Sequence, residues 1–366
     1  MLKRLPVDWR ALTMVGALLA IWLVFSVATG GTFLLPRNLS LLARQMAVTS
    51  ILAVGMVLVI VAGQIDLSVG ALAGLTGALA ALAYTRLSWP LCPAILLALA
   101  VGAVLGALEG SLVAWLRIPP FIVTLGGMLV FQGTLLGVTG GVSTSPPRPF
   151  LFLGQAYLPP LAGWLVAGVV AVALALTAWR IDDRRWGRRR LGRLGLAALA
   201  IGAVALMNAY AGVPVPVLVV LALATVLSTV AHHTPFGRHL YAIGGNREAA
   251  FYSGIAIERH LVGVFTLMGL LAGAAGVVLT ARVGAATPNA GQLMELDAIA
   301  AAVIGGTSLL GGQGTVWGAL LGALVMASLD NGMSLLNTEA FWQPILKGGI
   351  LVAAVAVDMA GRRGRV

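Results

Sequence analysis

Five acidic residues stand inside otherwise apolar sequence: Asp66, Glu109, Glu295, Asp297 and Asp330. An ionised carboxyl in hydrocarbon is costly, so each needs a partner or a purpose. Glu109, in VLGALEGSLVAW, lies deepest in its apolar run and should face the interior of a bundle. A functional role and a structural pairing are equally open to it, and Arg117 is too far along the same helix to pair directly. Asp66 and Asp330 fall near the ends of apolar runs, where a carboxylate can cap or bind local backbone. Glu295 and Asp297 sit beside Pro288 and Asn289, at the expected outer mouth, where a soluble protein could dock. A neutral, hydroxyl-rich solute would need amides more than charge, and Gln64, Asn289, Gln292, Asn331 and Asn337 offer them. No spacing rule selects among these; Gln64, Asp66, Asn289 and Asn331 are taken as candidates for a solute path.

Several chemistries are excluded by what is missing. A nucleotide-binding loop requires Gly-Lys-Ser/Thr, yet the lysines are Lys3 and Lys347, and Gly348 follows the second. His232, His233, His239 and His260 fit no HExxH spacing and read as polar groups of one surface, so no metal site is expected. There is no GxSxG elbow, and an enzyme reading has no nucleophile to rest on. Cys92 is the single cysteine, so no intrachain disulfide can form.

The longest polar interval, Thr234 to His260, contains GGNREAAFYSG. Asn246 is a good N-cap, Glu248 suits the positive end of the helix dipole, and Gly254 suits the left-handed residue that closes a helix. Two turns cannot sustain themselves in water, so this helix needs something to dock against.

The elements that must carry these residues are membrane spans. Of 366 residues, 60% are hydrophobic and 10% charged, with a mean hydropathy of +1.00. A soluble domain is about a quarter charged, so the expectation is an all-α, polytopic helix bundle of about 10–12 spans. Apolar runs place them near 11–29, 45–63, 67–85, 91–116, 121–139, 161–179, 194–211, 214–231, 261–281, 296–310, 315–331 and 341–358. MLKRLPVDWR before the first run reads as the cytoplasmic end of an uncleaved span. Starting inside, twelve spans also end inside, so both termini are expected in the cytoplasm. All of the 23 basic residues then lie on the inner side except Arg37, Arg44, Arg86, Arg148, Arg282 and Lys347. The net charge of +11 therefore reports membrane orientation and not nucleic acid. Two hairpins stay ambiguous, around AGQIDLSVGALAGL (62–75) and IGGTSLLGGQGTVWGALLGAL (304–324). Each could be two spans with a tight turn or a helix broken at membrane depth, which requires protein or water to satisfy the freed backbone.

EAA followed by a glycine (Glu248, Ala249, Ala250, then Gly254 and Ile255) resembles the cytoplasmic loop of ATP-binding-cassette importer permeases. GQIDLSVG (63–70) and the Gly305 to Gly314 run resemble the sugar-importing branch. ATPNAGQLMELDAIAAAVIGGTSLLGG (286–312) and SLDNGMSLL (328–336) are similar to its xylose-type members. The resemblance covers about 38–358 and thins over 161–211, an apparent extra span pair around the arginine-rich IDDRRWGRRRLGR. That cluster reads as a positive-inside anchor that can also hold anionic lipid headgroups. The resemblance implies a single permease domain over 1–366 with a coupling loop at 232–260. In that loop Gly244, Gly245, Asn246, Glu248, Ala249, Ala250, Gly254 and Ile255 would meet a separate ATPase. It implies a homodimer of permeases, a periplasmic sugar-binding protein, the bacterial inner membrane, and no cofactor on this chain, ATP and Mg belonging to the partner ATPase. The alternative is a self-contained secondary transporter of a small neutral solute. The scarcity of membrane acids in series argues against proton coupling.

Overall fold

The computed structural model describes residues 9–179, 186–339 and 341–363. Described residues form helices α1 (Trp9–Ala28), α2 (Pro36–Val61), α3 (Val69–Thr85), α4 (Leu91–Ala114), α5 (Pro120–Thr139), α6 (Arg148–Gln155), α7 (Pro160–Trp179) and α8 (Trp186–Asn208). There follow α9 (Val215–His233), α10 (Pro235–Gly245), α11 (Arg247–Tyr252), α12 (Ile257–Val283), α13 (Met294–Ile304), α14 (Val316–Leu335) and α15 (Trp342–Arg363). Six of these are long and apolar enough to cross a membrane: α2, α4, α5, α9, α12 and α14.

The bundle is wrapped around α2, which is buried almost continuously from Ala47 to Val61. α9, α12, α13 and α14 pack on it. Such a helix, apolar on every side, belongs in the centre of a bundle. The tightest seam joins α4 to α12. A methyl group on Gly102 would strike the Gly269 carbonyl, and one on Gly106 the Phe265 carbonyl. Small residues here bring backbones into contact, the usual substitute for a hydrophobic driving force inside lipid.

Both ambiguous hairpins are resolved. The first is a pair of helices, α2 and α3, joined by Ala62–Ser68. The second departs from the expected span at 296–310. α13 has 11 residues, about 16 Å of helix, against a hydrocarbon core of about 30 Å. After α12 the chain folds back through a series of turns at 287–293 and re-enters the bundle. Its Ala290 and Gly291 lie against Gly74 and Gly70, in the first two turns of α3. α13 therefore starts against the beginning of α3 and is too short to cross a bilayer as a full span. The irregular backbone before it rests on α3 at the buried Gly291, while Asn289, Gln292 and Leu293 stay exposed. Re-entry also moves Glu295 and Asp297 away from the expected outer mouth. Both are buried, because α13 begins inside the bundle.

α7 and α8 pack chiefly on each other at the bundle edge. Their root is closed by two backbone bonds, Leu158 N to Val213 O at 2.8 Å and Val215 N to Ala156 O at 2.9 Å. The helical hairpin thus leaves and returns at one point. The connection between them, 180–185, lies outside the described residues.

Candidate functional site

At one end of the bundle the chain between α9 and α12 folds into two short helices. Thr234 caps α10, its hydroxyl accepting from Gly237 N at 3.2 Å, with Pro235 in the first helical position. Both are ordinary helix-start signals, and they identify a helix that the sequence reading passed over. Asn246 then ends α10 and begins α11, its Oδ1 accepting from Ala249 N at 2.9 Å. Glu248 lies in the first turn, and Gly254 leaves the helix at φ +79° with open space around it. Gly245, Asn246, Glu248 and Ala249 are exposed, whereas Ala250 faces the protein. Beside them Phe251 and Tyr252 protrude, 63% and 85% exposed. Two bare aromatic rings on a short capped helix form a protruding apolar knob, the kind of surface that marks an interaction site.

The knob stands on a rigid base. His239 Nδ1 lies 2.9 Å from His260 Nε2, linking α10 to α12. His260 Nδ1 faces the Ala256 carbonyl at 2.7 Å and donates to it, which in the neutral ring leaves Nε2 to accept from His239. Tyr241 Oη donates to Gly314 O at 2.7 Å, and burial pushes this phenol up from its usual pKa, so it stays a donor at neutral pH. Gly244 lies directly on the Val61 carbonyl at the end of α2, where no side chain would fit. Val61 O in turn accepts from Gly312 N at 2.9 Å. Gly311 and Gly312, at φ +87° and +72°, adopt left-handed conformations that let the 305–315 turn rest on Gly244 and Gly245.

A second region lies between α5 and the re-entrant turns. A cavity of about 300 Å³ is lined by Leu129, Gln132, Gly133 and Leu136 of α5 and by Pro288, Asn289, Ala290 and Gln292 of the re-entrant turns. Three amides and several apolar surfaces meet there, with no charged group in the lining. Gln132 was not among the candidates; a lone amide in an apolar helix gives no signal until its neighbours are known. The other sequence candidates lie elsewhere. Asn331 pairs reciprocally with Asn38, at 2.8 and 3.0 Å, and Asn38 also donates to Phe33 O. Gln64 is buried in the turn after α2, its amide donating to Ala62 O at 3.2 Å. Asn337 adopts a left-handed conformation just beyond α14.

Asp66 accepts from the amide and hydroxyl of Ser68, and the same hydroxyl lies 2.9 Å from Glu109 Oε2. One hydroxyl hydrogen cannot serve two carboxylates, so a closed network needs a proton on one of them. The remaining carboxylates form a different cluster. Lys347 Nζ lies 2.9 Å from Asp297 and 3.0 Å from Asp330, joining α13, α14 and α15. Among the described residues, no group of three or more His, Cys, Asp or Glu side chains is arranged to hold a metal ion.

Residues 38–355 match the family described as the branched-chain amino acid transport system / permease component. The chain belongs to this permease family. Among its relatives, the permease is 46% identical to the xylose transport system permease protein XylH of Escherichia coli K12, over 97% of this chain and 93% of that protein. It is 44% identical to XylH of Haemophilus influenzae, over 99% and 100%, and 36% identical to the ribose import permease protein RbsC of Bacillus subtilis, over 89% and 86%. No solved structure matches the permease.

Proposed function

We propose that this permease is the membrane-spanning subunit of an ATP-driven importer of a monosaccharide, xylose or a close relative of it. The observation that carries the reading is α11, an exposed, capped knob on a chain that has no nucleotide-binding loop of its own. ATP and Mg²⁺ act on a separate ATPase that grips Phe251, Tyr252 and Glu248. A periplasmic sugar-binding protein delivers the solute, and a second copy of the chain completes the path through the bacterial inner membrane. The α11 end is cytoplasmic; Arg117, Arg238, Arg247 and Arg259 gather there, in keeping with the charge rule. The cavity at Gln132, Asn289 and Gln292 is the sugar-contacting part of the route, because amides can bond hydroxyls while apolar walls cover the ring faces. The names of the relatives above and those of the D-allose and ribose permeases of Escherichia coli point to the same class of solute.

The test is reconstitution with the cognate ATPase and binding protein. Glu248→Lys reverses charge on the knob, and Gly254→Trp places a bulky residue at a left-handed position. Both should abolish sugar-stimulated ATP hydrolysis while membrane insertion is retained. Unchanged transport in both variants defeats the proposal. Uptake by the purified chain alone, driven by an ion gradient, would favour a secondary transporter instead.

A further inference from the structure

α10 does not touch the bundle only through the helices it connects in sequence. Its Tyr241 holds Gly314, and its Gly244–Gly245 backbone lies on Gly311 and Gly312, the turn that follows α13. That turn is internally tied, Ser308 N donating to Gln313 O and Gly311 N to Ser308 O, at 2.9 and 3.0 Å. α13 runs from it as a three-turn helix, and the turns at its far end carry Asn289 and Gln292 into the cavity wall. Just before α13 the chain meets α3 largely through backbone, Gly291 on Gly70 and Ala290 on Gly74, with the Glu295 carboxyl also resting on Gly70. Rods and tied turns transmit displacement.

We propose that the re-entrant unit 288–315 is the moving wall of the sugar path, and that Tyr241 and Gly244 are the positioning residues through which α10 drives it. The stroke delivered at α11 reaches the cavity through the 305–315 turn and α13, rather than through α9 and α12 that flank α10 and α11 in sequence. This inference rests on the reading that an ATPase grips α11.

The experiment uses the assembled complex in proteoliposomes, with Cys92→Ser removing the single native thiol. Leu293→Cys, half exposed beside the cavity but not in its lining, reports on the wall by its rate of reaction with a water-soluble maleimide. With Tyr241 intact, ATP plus vanadate should change that rate by about fivefold or more. In Tyr241→Phe the ATPase should still co-purify, but the change should shrink to about twofold or less, and stimulation by loaded binding protein should fall with it. A purely structural Tyr241 would lower thermal stability without separating ATP hydrolysis from the reporter. Gly244→Ala, which forces a methyl group into the Val61 carbonyl, should behave like Tyr241→Phe. Should it fail to assemble, Tyr241→Phe alone decides. The same nucleotide response in the parent and in Tyr241→Phe overturns the proposal, as does the absence of any response in a parent complex that transports. Failure of the ATPase to co-purify with the unsubstituted chain would instead refute the importer reading beneath it.

Discussion

At Ser68 a single hydroxyl stands between two carboxyl groups, and this fixes what each neighbour can be replaced by. Glu109 Oε1 has no hydrogen-bond partner, and Gly127 of α5 closes over it. Glu109→Gln supplies a permanent donor to Ser68 Oγ, which frees the hydroxyl hydrogen for Asp66. The variant should therefore melt within about 1 kcal/mol of the parent, whereas Glu109→Leu should lose about 1–3 kcal/mol by stranding Ser68 and Asp66. Thermal unfolding of the detergent-solubilised chain measures both, and equal losses would mean that Glu109 is ionised and held by charge. The Asn38–Asn331 pair follows similar logic. Either single leucine substitution leaves a buried amide unpaired and should cost about 1–3 kcal/mol, while the double substitution should recover part of that. These partnerships were not legible in the sequence. Asn38 and Asn331 are 293 residues apart, and neither carries a local signal of the other. What could be read residue by residue was local: Asn246, Glu248 and Gly254 specify α11 through caps and dipole, forces that act within one turn.

Among elements, length and apolarity were legible, and depth was not. Each apolar run in the sequence corresponds to a helix, yet α13 is shorter than a full span because its glycine-rich surroundings admit either a turn or a break. Which one forms depends on α3 and α2, whose backbones accept Gly291 and Gly312. Hydropathy sees none of those contacts. The Asp297–Lys347–Asp330 cluster was hidden for the same reason, since its members come from three helices that only the fold brings together. Lys347→Met should leave a buried and a half-buried carboxylate facing each other and cost about 1–3 kcal/mol in thermal unfolding. Adding Asp297→Asn and Asp330→Asn should restore much of the loss. The α7–α8 hairpin calls for a different prediction. Its ends are joined by backbone bonds between 156–158 and 213–215, so replacing 159–212 with a short glycine linker keeps both ends in place. The shortened chain should insert, bind the ATPase and retain sugar-stimulated hydrolysis; loss of ATPase binding would show that the hairpin supports α9 and the knob beyond it.

For the whole molecule, α5 is one of the exposed boundaries, and the one on which the cavity opens. Phe121, Ile122, Leu129, Val130 and Leu136 are exposed along it, and methyl groups built on Gly126, Gly133 and Gly137 would meet nothing. Gly133 and Gly137 are about one helical turn apart and Gly126 lies about two turns before Gly133, so the three share a face. Small residues flanked by apolar ones form the surface on which membrane helices pack closely. The cavity opens on this same helix, lined by Gln132 and Gly133. A second copy placed against α5 would therefore face the two cavities across a common path, which a permease dimer needs and a self-contained single-chain transporter does not. In a Cys92→Ser background, Gly133→Cys or Gly137→Cys should give a disulfide-linked dimer when the membrane-embedded complex is oxidised. Val169→Cys, exposed on the peripheral α7, should not. Cross-linking at α7 with none at α5 would place the seam on the hairpin side. The cavity would then open toward lipid, and the sugar route through Gln132 would have to be abandoned.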